Sequence, residues 1–212
     1  MTVEIDNIPQ VDTEEDLDHM VRPLQVWVKQ MKKRQWLPQV APSNVLEYCT
    51  LQGEGNEHTS RYQIYVKKPF DIVMKAYENT QLDKLLKPNL IENETLIKHG
   101  TNSLEREVQN LPWGSFSVAR EFVFARVRFE LDGEVYIVSS SVNSNKANTY
   151  KDQVVRAYKK LSVRVAKDKN DGTSIEVIIV VDLRGWSLGY VNDLFIQEQL
   201  TPFIQLKTQL EQ

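Results

Sequence analysis

The sequence predicts an α+β fold in which a long apolar helix at the C-terminus covers one face of a curved antiparallel sheet. Three observations carry this reading. From Leu90 to Leu183 strand-like runs follow one another, broken by His99-Gly100-Thr101-Asn102, by Asn110 to Gly114, by Asp132-Gly133 and by Asn170-Asp171-Gly172. The Gly, Asn and Asp residues in these breaks accept the backbone conformations of tight turns, so a meander is expected. Within the run, Ile175, Val177, Ile179, Val181 and Leu183 alternate with Ser174, Glu176, Ile178, Val180 and Asp182, giving one uniformly aliphatic strand face and one mixed face. Finally, Val191, Leu194, Phe195, Leu200, Phe203, Ile204, Leu206 and Leu210 trace the apolar stripe of a helix that needs a surface to cover.

Taken in order, residues 1–11 carry no sustained period and include Pro9, which reads as a loose tail before a single domain at 12–212. Leu17, Met20, Val21, Leu24, Trp27, Val28 and Met31 recur at helical spacing, with Asp12 and Glu15 resembling a capping box. Pro23 lacks the N–H that would bond back to His19, so the helix is either kinked there or split with Pro23 at the first position of a second piece. Acidic residues before Pro23 and the basic Lys29, Lys32, Lys33 and Arg34 after it suit the helix dipole, and the basic cluster reads as a solvated helix end. Val45 to Gln52 and Arg61 to Lys67, separated by the polar stretch Gly53 to Ser60, read as a hairpin. Pro69 then opens a helix with Phe70, Val73, Met74 and Tyr77 on one face, followed by a short turn at Leu82, Leu85 and Leu86. Asn143 to Gln153 is a polar connection without period, long enough to be functional. In the last helix Pro202 removes the bond to Glu198 and predicts a kink, while Gly185 and Gly189 offer pivots before it.

Composition narrows the function. The 212 residues hold 26 basic against 29 acidic side chains, a formal net charge of -3, so no global positive field favours a nucleic-acid partner. The single cysteine, Cys49, excludes an internal disulfide framework and a thiolate zinc cluster and fits a reducing compartment. Seven acidic residues and no Lys or Arg in the first 20 are the opposite of a targeting segment, and the longest apolar run, Val177 to Val181, is far short of the ~20 residues of a membrane span. The expected location is therefore cytoplasmic. No nucleophile elbow, phosphate loop or dinucleotide fingerprint is found, and His19, His58 and His99 share no metal-binding spacing. Catalytic residues, metal and cofactor are accordingly all read as none. A curved sheet gripping one helix leaves a space that either holds an apolar ligand or is filled by side chains.

Residues Leu111 to Phe129 read Leu-Pro-Trp-Gly-Ser-Phe-Ser-Val-Ala-Arg-Glu-Phe-Val-Phe-Ala-Arg-Val-Arg-Phe. Further on come Ser141-Val142, Val155-Arg156 and Asp182-Leu183-Arg184-Gly185-Trp186, with Lys87-Pro88-Asn89 upstream. In this order and spacing the motifs resemble the signature of steroidogenic acute regulatory protein-related lipid transfer (START) domains. The chain departs from that pattern at Glu121, where an Asp is usual, at Ala119, and in lacking a proline after Trp186.

The resemblance implies a helix-grip fold, with the C-terminal helix closing a curved sheet around a tunnel for one lipid, a phospholipid or a sterol. It further implies an inward Arg126 with Glu107 near it as acidic partner. Phe122, Phe124, Tyr136, Tyr158, Tyr190 and Phe195 are expected along the tunnel, and Gly185, Gly189 and Pro202 at a gate formed with the loop Asn143 to Gln153. Strand alternation raises a competing view of Arg126. Val123, Ala125, Val127, Phe129 and Leu131 make the cleaner apolar face, which turns Arg126 outward with Arg128 and Glu130. Arg120 is read as structural, tied to a neighbouring carboxylate. The expected function is a monomeric, non-enzymatic carrier that touches membranes transiently. The alternative is a cyclase or hydrolase on the same scaffold, with Glu107 or Asp182 as general base.

Overall fold

The structure, a computed structural model, describes residues 8–51, 58–78, 89–113, 116–147, 154–168, 171–184 and 189–212. The alternating segment near residue 178 becomes a strand flanked on both sides. In chain order the strands are β1 (Leu37–Gln39), β2 (Glu47–Leu51), β3 (His58–Val66), β4 (Leu90–His99), β5 (Asn102–Trp113), β6 (Phe116–Leu131), β7 (Glu134–Ser141), β8 (Val155–Arg156), β9 (Tyr158–Lys167) and β10 (Thr173–Asp182). They form one curved sheet in the order β1-β2-β3-β10-β9-β7-β6-β5-β4, antiparallel throughout, with β8 added parallel to β6 at Arg120 and Glu121. The expected hairpin is β2–β3, with Tyr48 opposite Tyr62. The short edge strand β1 and the parallel β8 had no signal in the sequence pattern, being three and two residues long.

Turn chemistry fixes register where it was expected. Leu131 faces Glu134 across the two-residue turn Asp132-Gly133, whose φ values of 56° and 78° are those a type I′ hairpin requires. Gly172 is needed for a different reason: a Cβ there would run into the ring of Tyr65.

The helices are α1 (Glu14–His19), α2 (Val21–Lys32), α3 (Phe70–Glu78) and α4 (Gly189–Glu211). The N-terminal helix is indeed split, at Met20, but Pro23 lies within the first turn of α2 rather than at its first position. The capping box also differs from expectation. Thr13 caps α1 with Asp16 as its reciprocal partner, because the Asp12 carboxylate is engaged elsewhere, by Ser144 Oγ at 2.9 Å and the backbone N–H of Asn145 at 2.7 Å. Residues 8–11 are not a loose tail. Val11 is fully buried, Gln10 bridges Asn143, and Val11 N–H donates to Asn143 O at 2.9 Å. The same bonds anchor the start of the 143–153 loop, of which 148–153 lie outside the described residues. So does the turn expected at Leu82 to Leu86. Helix α4 continues through Pro202 as one 23-residue element.

The sheet separates two apolar layers. On one face α1 and α2 pack Leu17, Leu24, Trp27 and Val28 against Val123, Ala125, Val127 and Phe129. On the other, α3 and α4 pack Val73, Phe195, Leu200 and Phe203 against Tyr62, Ile64, Val163, Ile175, Val177, Ile179 and Val181. These are called the α2 face and the α4 face below.

Candidate functional site

Strand β6 decides where the site lies, because it is buried on both sides. Its odd residues, Val123 to Phe129, serve the α2 face, and its even residues Phe122 and Phe124 lie in the α4 layer. The two readings of Arg126 are thereby reconciled. The cleaner apolar face is buried beneath the N-terminal helices, so period-two alternation puts Arg126 beside Phe122 and Phe124 on the α4 face. Its guanidinium meets Glu105 Oε2 at 3.2 Å and lies 5.9 Å from the Phe124 ring.

Glu107 is two residues further along β5 on the same face and completely buried, and its Oε2 receives Lys159 Nζ at 2.6 Å and Gln109 Nε2 at 3.1 Å. Lys159, from β9, is itself 5% exposed in its side chain, with its ammonium 3.7 Å from the centre of the Phe124 ring and 5.1 Å from that of Phe122. Phe122 in turn stacks on Phe195 of α4, ring centres 5.3 Å apart. Glu105 also accepts from Ser103 Oγ at 2.6 Å. The α4 face thus carries a run of aliphatic side chains on β3, β10 and β9, and a buried group of ionised residues on β5, β6 and β9. Ion pairs this deeply buried persist only when geometry and accessory hydrogen bonds compensate for lost hydration.

Of the residues expected at the site, Glu107, Arg126, Phe122, Phe124 and Phe195 are brought together. Tyr136 and Tyr158 are not. Both belong to the α2 layer, where Tyr136 stacks on Phe129 with centres 5.6 Å apart and donates to Glu134 Oε2 at 2.8 Å. Burial and the adjacent Glu134 raise the Tyr136 hydroxyl well above its ordinary pKa. Tyr158 lines a separate recess of about 250 Å³ with Pro9, Met20, Leu24 and Lys160. The sequence predicted a strand for each tyrosine without fixing which face was which. Gly189 opens α4 and Pro202 lies inside it, whereas Gly185 and the Tyr190 side chain lie outside the described residues.

Glu105, Gln109 and Lys159 were missed. A signal for Lys159 existed: it shares the period-two set with Leu161, Val163 and Val165, which places its stem on the aliphatic face of β9. Arg120 is structural, as read, but its anchors are backbone carbonyls. Nε donates to Leu183 O at 2.7 Å and Nη2 to Arg184 O at 3.3 Å, and burial holds its pKa below the ordinary value. It thereby fixes the end of β10, shortly before α4 begins. Of the candidate bases, Glu107 carries the Lys159 ion pair, and Asp182 accepts from Arg184 N–H at 2.8 Å. Among the described residues no group of His, Cys, Asp and Glu is arranged to hold a metal ion, and no helix is long and apolar enough to cross a membrane.

The START domain profile matches residues 67–209, about two thirds of the chain. Among solved structures, human StAR-related lipid transfer protein 5 superposes with a TM-score of 0.77 at 16% identity, over 94% of this chain and 100% of that one. Human STARD10 gives 0.69 at 15% identity, over 95% and 80%. A more distant likeness is the Zhui aromatase/cyclase from a Streptomyces species, 0.53 at 9% identity, over 73% and 94%. No curated protein sequence matches significantly. At these identities the structural likenesses establish the helix-grip fold, while the profile establishes kinship. The chain belongs to the START domain family.

Proposed function

We propose that this protein is a non-enzymatic lipid carrier that holds one phospholipid or sterol between the sheet and α4 and moves it between membranes. The observation that carries the reading is the pairing, on one buried face, of aliphatic β3, β10 and β9 residues with the ionised group Glu105, Glu107, Arg126 and Lys159. Such a face offers apolar contact to a chain and polar partners to its head. Each methylene withdrawn from water is worth ~0.8 kcal/mol, so an apolar lining in place of the bilayer lowers the barrier to desorption. Phe122, Phe124, Arg126 and Phe195 are the lining residues in this proposal, and Tyr136 and Tyr158 are not. Opening requires α4 to move, with Gly189 at its start as the pivot and Pro202 as an internal weak point.

The likeness to an aromatase/cyclase favours a second reading, an enzyme for a hydrophobic substrate. One experiment separates the two. The purified protein is extracted and its lipids identified by mass spectrometry, and transfer between donor and acceptor vesicles is followed with a fluorescent phospholipid and a fluorescent sterol. A carrier yields intact lipid and transfers it. Absence of both, with conversion of an added hydrophobic small molecule, establishes the enzyme.

A further inference from the structure

We propose that the recess on the α2 face is a second binding site, separate from the space beneath α4. Its ligand is a molecule of about ten non-hydrogen atoms with an apolar body and an oxygen acceptor at one end, and binding locks residues 8–11 onto Asn143. The site stands whatever the α4 face holds.

The recess exists because small side chains meet a broken helix. The helix divides at Met20, and Pro23, in the first turn of α2, has no N–H with which to continue the α1 ladder to His19. Beneath that junction Ser140 of β7 lies opposite Ala125 of β6, so neither has a side chain long enough to fill the space. About 250 Å³ remains. Its floor is closed, since Leu24, Ser140 and Tyr158 are all at least nine-tenths buried. Pro9 and Pro23, both exposed, form the rim with the half-buried Lys160.

One polar group on this floor is unanswered. Ser140 is 3% exposed, and among the described residues its hydroxyl has no hydrogen-bond partner. Burying a hydroxyl in this way costs free energy that a ligand's polar atom recovers. Lys160, opposite Ser140 in the β7–β9 ladder, can only donate, and its ammonium lies 4.9 Å from the centre of the Trp27 ring. The polar end that suits both residues is an oxygen acceptor. Size sets the rest. A cavity of about 150 Å³ holds benzene, so this recess takes about ten non-hydrogen atoms, far fewer than a phospholipid or a sterol has.

The recess also touches the segment that holds the start of the 143–153 loop. Ile8 and Pro9 line it. Their carbonyls accept from Asn143 Nδ2 at 3.3 Å and Asn143 N–H at 2.8 Å, and Val11 N–H donates to Asn143 O at 2.9 Å. A ligand that needs this wall binds only while these bonds are closed, so its binding free energy adds to theirs.

The test uses three probes with one body, 3-phenylpropanol, 3-phenylpropionate and 3-phenylpropylammonium, titrated into isotope-labelled protein at neutral pH and followed by NMR. Wild type is expected to bind the first two saturably and the ammonium at least about tenfold more weakly. Ser140→Ala should weaken both oxygen-bearing probes by about three- to tenfold, the loss of one hydrogen bond. Ser140→Val, which also narrows the recess, should abolish binding, and Ser140→Ala is the readout should it fail to fold. At about ten times its Kd, 3-phenylpropanol should slow hydrogen exchange at the Val11 and Asn143 amides about tenfold. Failure of wild type to bind either oxygen-bearing probe overturns the site. Undiminished binding by the Ser140 variants overturns it too, because the probes then sit elsewhere, as beneath α4. Equal binding of the ammonium overturns the acceptor requirement, and binding without slower exchange overturns the lock on Asn143.

Discussion

On the α2 face, Glu121 is gripped from two strands, by Arg106 Nε at 2.7 Å and Arg156 Nε at 2.9 Å, while Glu134 gathers Lys32 of α2, Arg164 of β9 and the Tyr136 hydroxyl. On the α4 face, Glu107 and Glu105 face cations across an aromatic floor, and the cations come to rest on or near the Phe124 ring. Both faces bury charge beside a full apolar layer, yet the purposes differ. The α2-face carboxylates join elements: Glu121 holds the parallel β8 to β6 and reaches β5, and Glu134 holds the end of α2 to the sheet. On the α4 face, Arg126 and Glu105 belong to strands that the backbone ladder already holds, and Lys159 reaches Glu107 across the face from β9 to β5, its ammonium resting on the Phe124 ring. Removing a charge from the α2 face should therefore loosen the scaffold, and removing one from the α4 face should change what the protein accepts.

The largest effect is expected at Glu121. Glu121→Ala leaves Arg106 and Arg156 facing each other over an empty buried position, and breaking a buried ionic group in this way costs about 3–5 kcal/mol. Arg106 retains Glu92 and Glu94 at 3.0 and 3.3 Å, and Arg156 is 30% exposed, so the lower end of that range is expected. Urea unfolding measures it. If the folded fraction that survives shows altered lipid selectivity, the division of labour between the faces is wrong.

Arg126→Leu is the counterpart on the other face. Its side chain is 26% exposed and its partner Glu105 keeps the Ser103 hydroxyl, so the loss of stability should be smaller than at Glu121, about 1–2 kcal/mol. What the protein takes up, by contrast, should change, with the lipid held by the wild type lost. Vesicle extraction and a melting curve on the same sample check both halves: unchanged uptake removes Arg126 from the site, and a collapse in stability moves it to the scaffold.

How far the sequence foresaw this division depends on which physical rule was at stake. Alternation in 175–183 and the turn at Asp132-Gly133 are local rules, and both the β10 face and the β6–β7 register follow from them. Local rules also put Arg126 on the even face of β6. They were silent on the packing partner, because a strand buried on both sides has two apolar faces and nothing local says which helix covers which. Tyr136 and Tyr158 were misplaced for that reason, whereas Arg126 was placed by the resemblance. The capping box slipped from Asp12–Glu15 to Thr13–Asp16 because Asp12 is claimed by Asn145 and Ser144, 133 and 132 residues away in sequence. Lys159 was overlooked because a lysine in a strand reads as a surface residue unless a carboxylate is known to wait across the sheet, and Glu107 lies 52 residues earlier.

The smallest expected effect sharpens the comparison through pH. Glu134 on the α2 face is opposed by burial, but the Tyr136 hydroxyl, Arg164 and Lys32 outweigh it and hold its pKa below 4.5. A depressed carboxylate stabilises the fold above its unfolded value, and that stability is lost as pH falls through the folded value. Glu198 of α4 behaves in the opposite way: burial raises its pKa above 4.5, with only the Asn89 amide, at 2.7 Å, working to lower it. Its contribution is fully present below the unfolded value and is lost as pH rises through the folded one. The helix that covers the α4 face thus carries a carboxylate whose ionisation is opposed by burial and favoured only by the Asn89 amide, where β4 begins. Glu198→Gln keeps a neutral amide at that position and abolishes the titration. It should raise the melting temperature at neutral pH by no more than about 3 °C, and the gain should vanish well below pH 4.5. Glu134→Gln should do the reverse, lowering stability at neutral pH and converging with wild type in acid. Melting curves of the two variants over the same pH series decide the matter: parallel rather than opposite trends would mean that the two faces do not differ in how they hold charge.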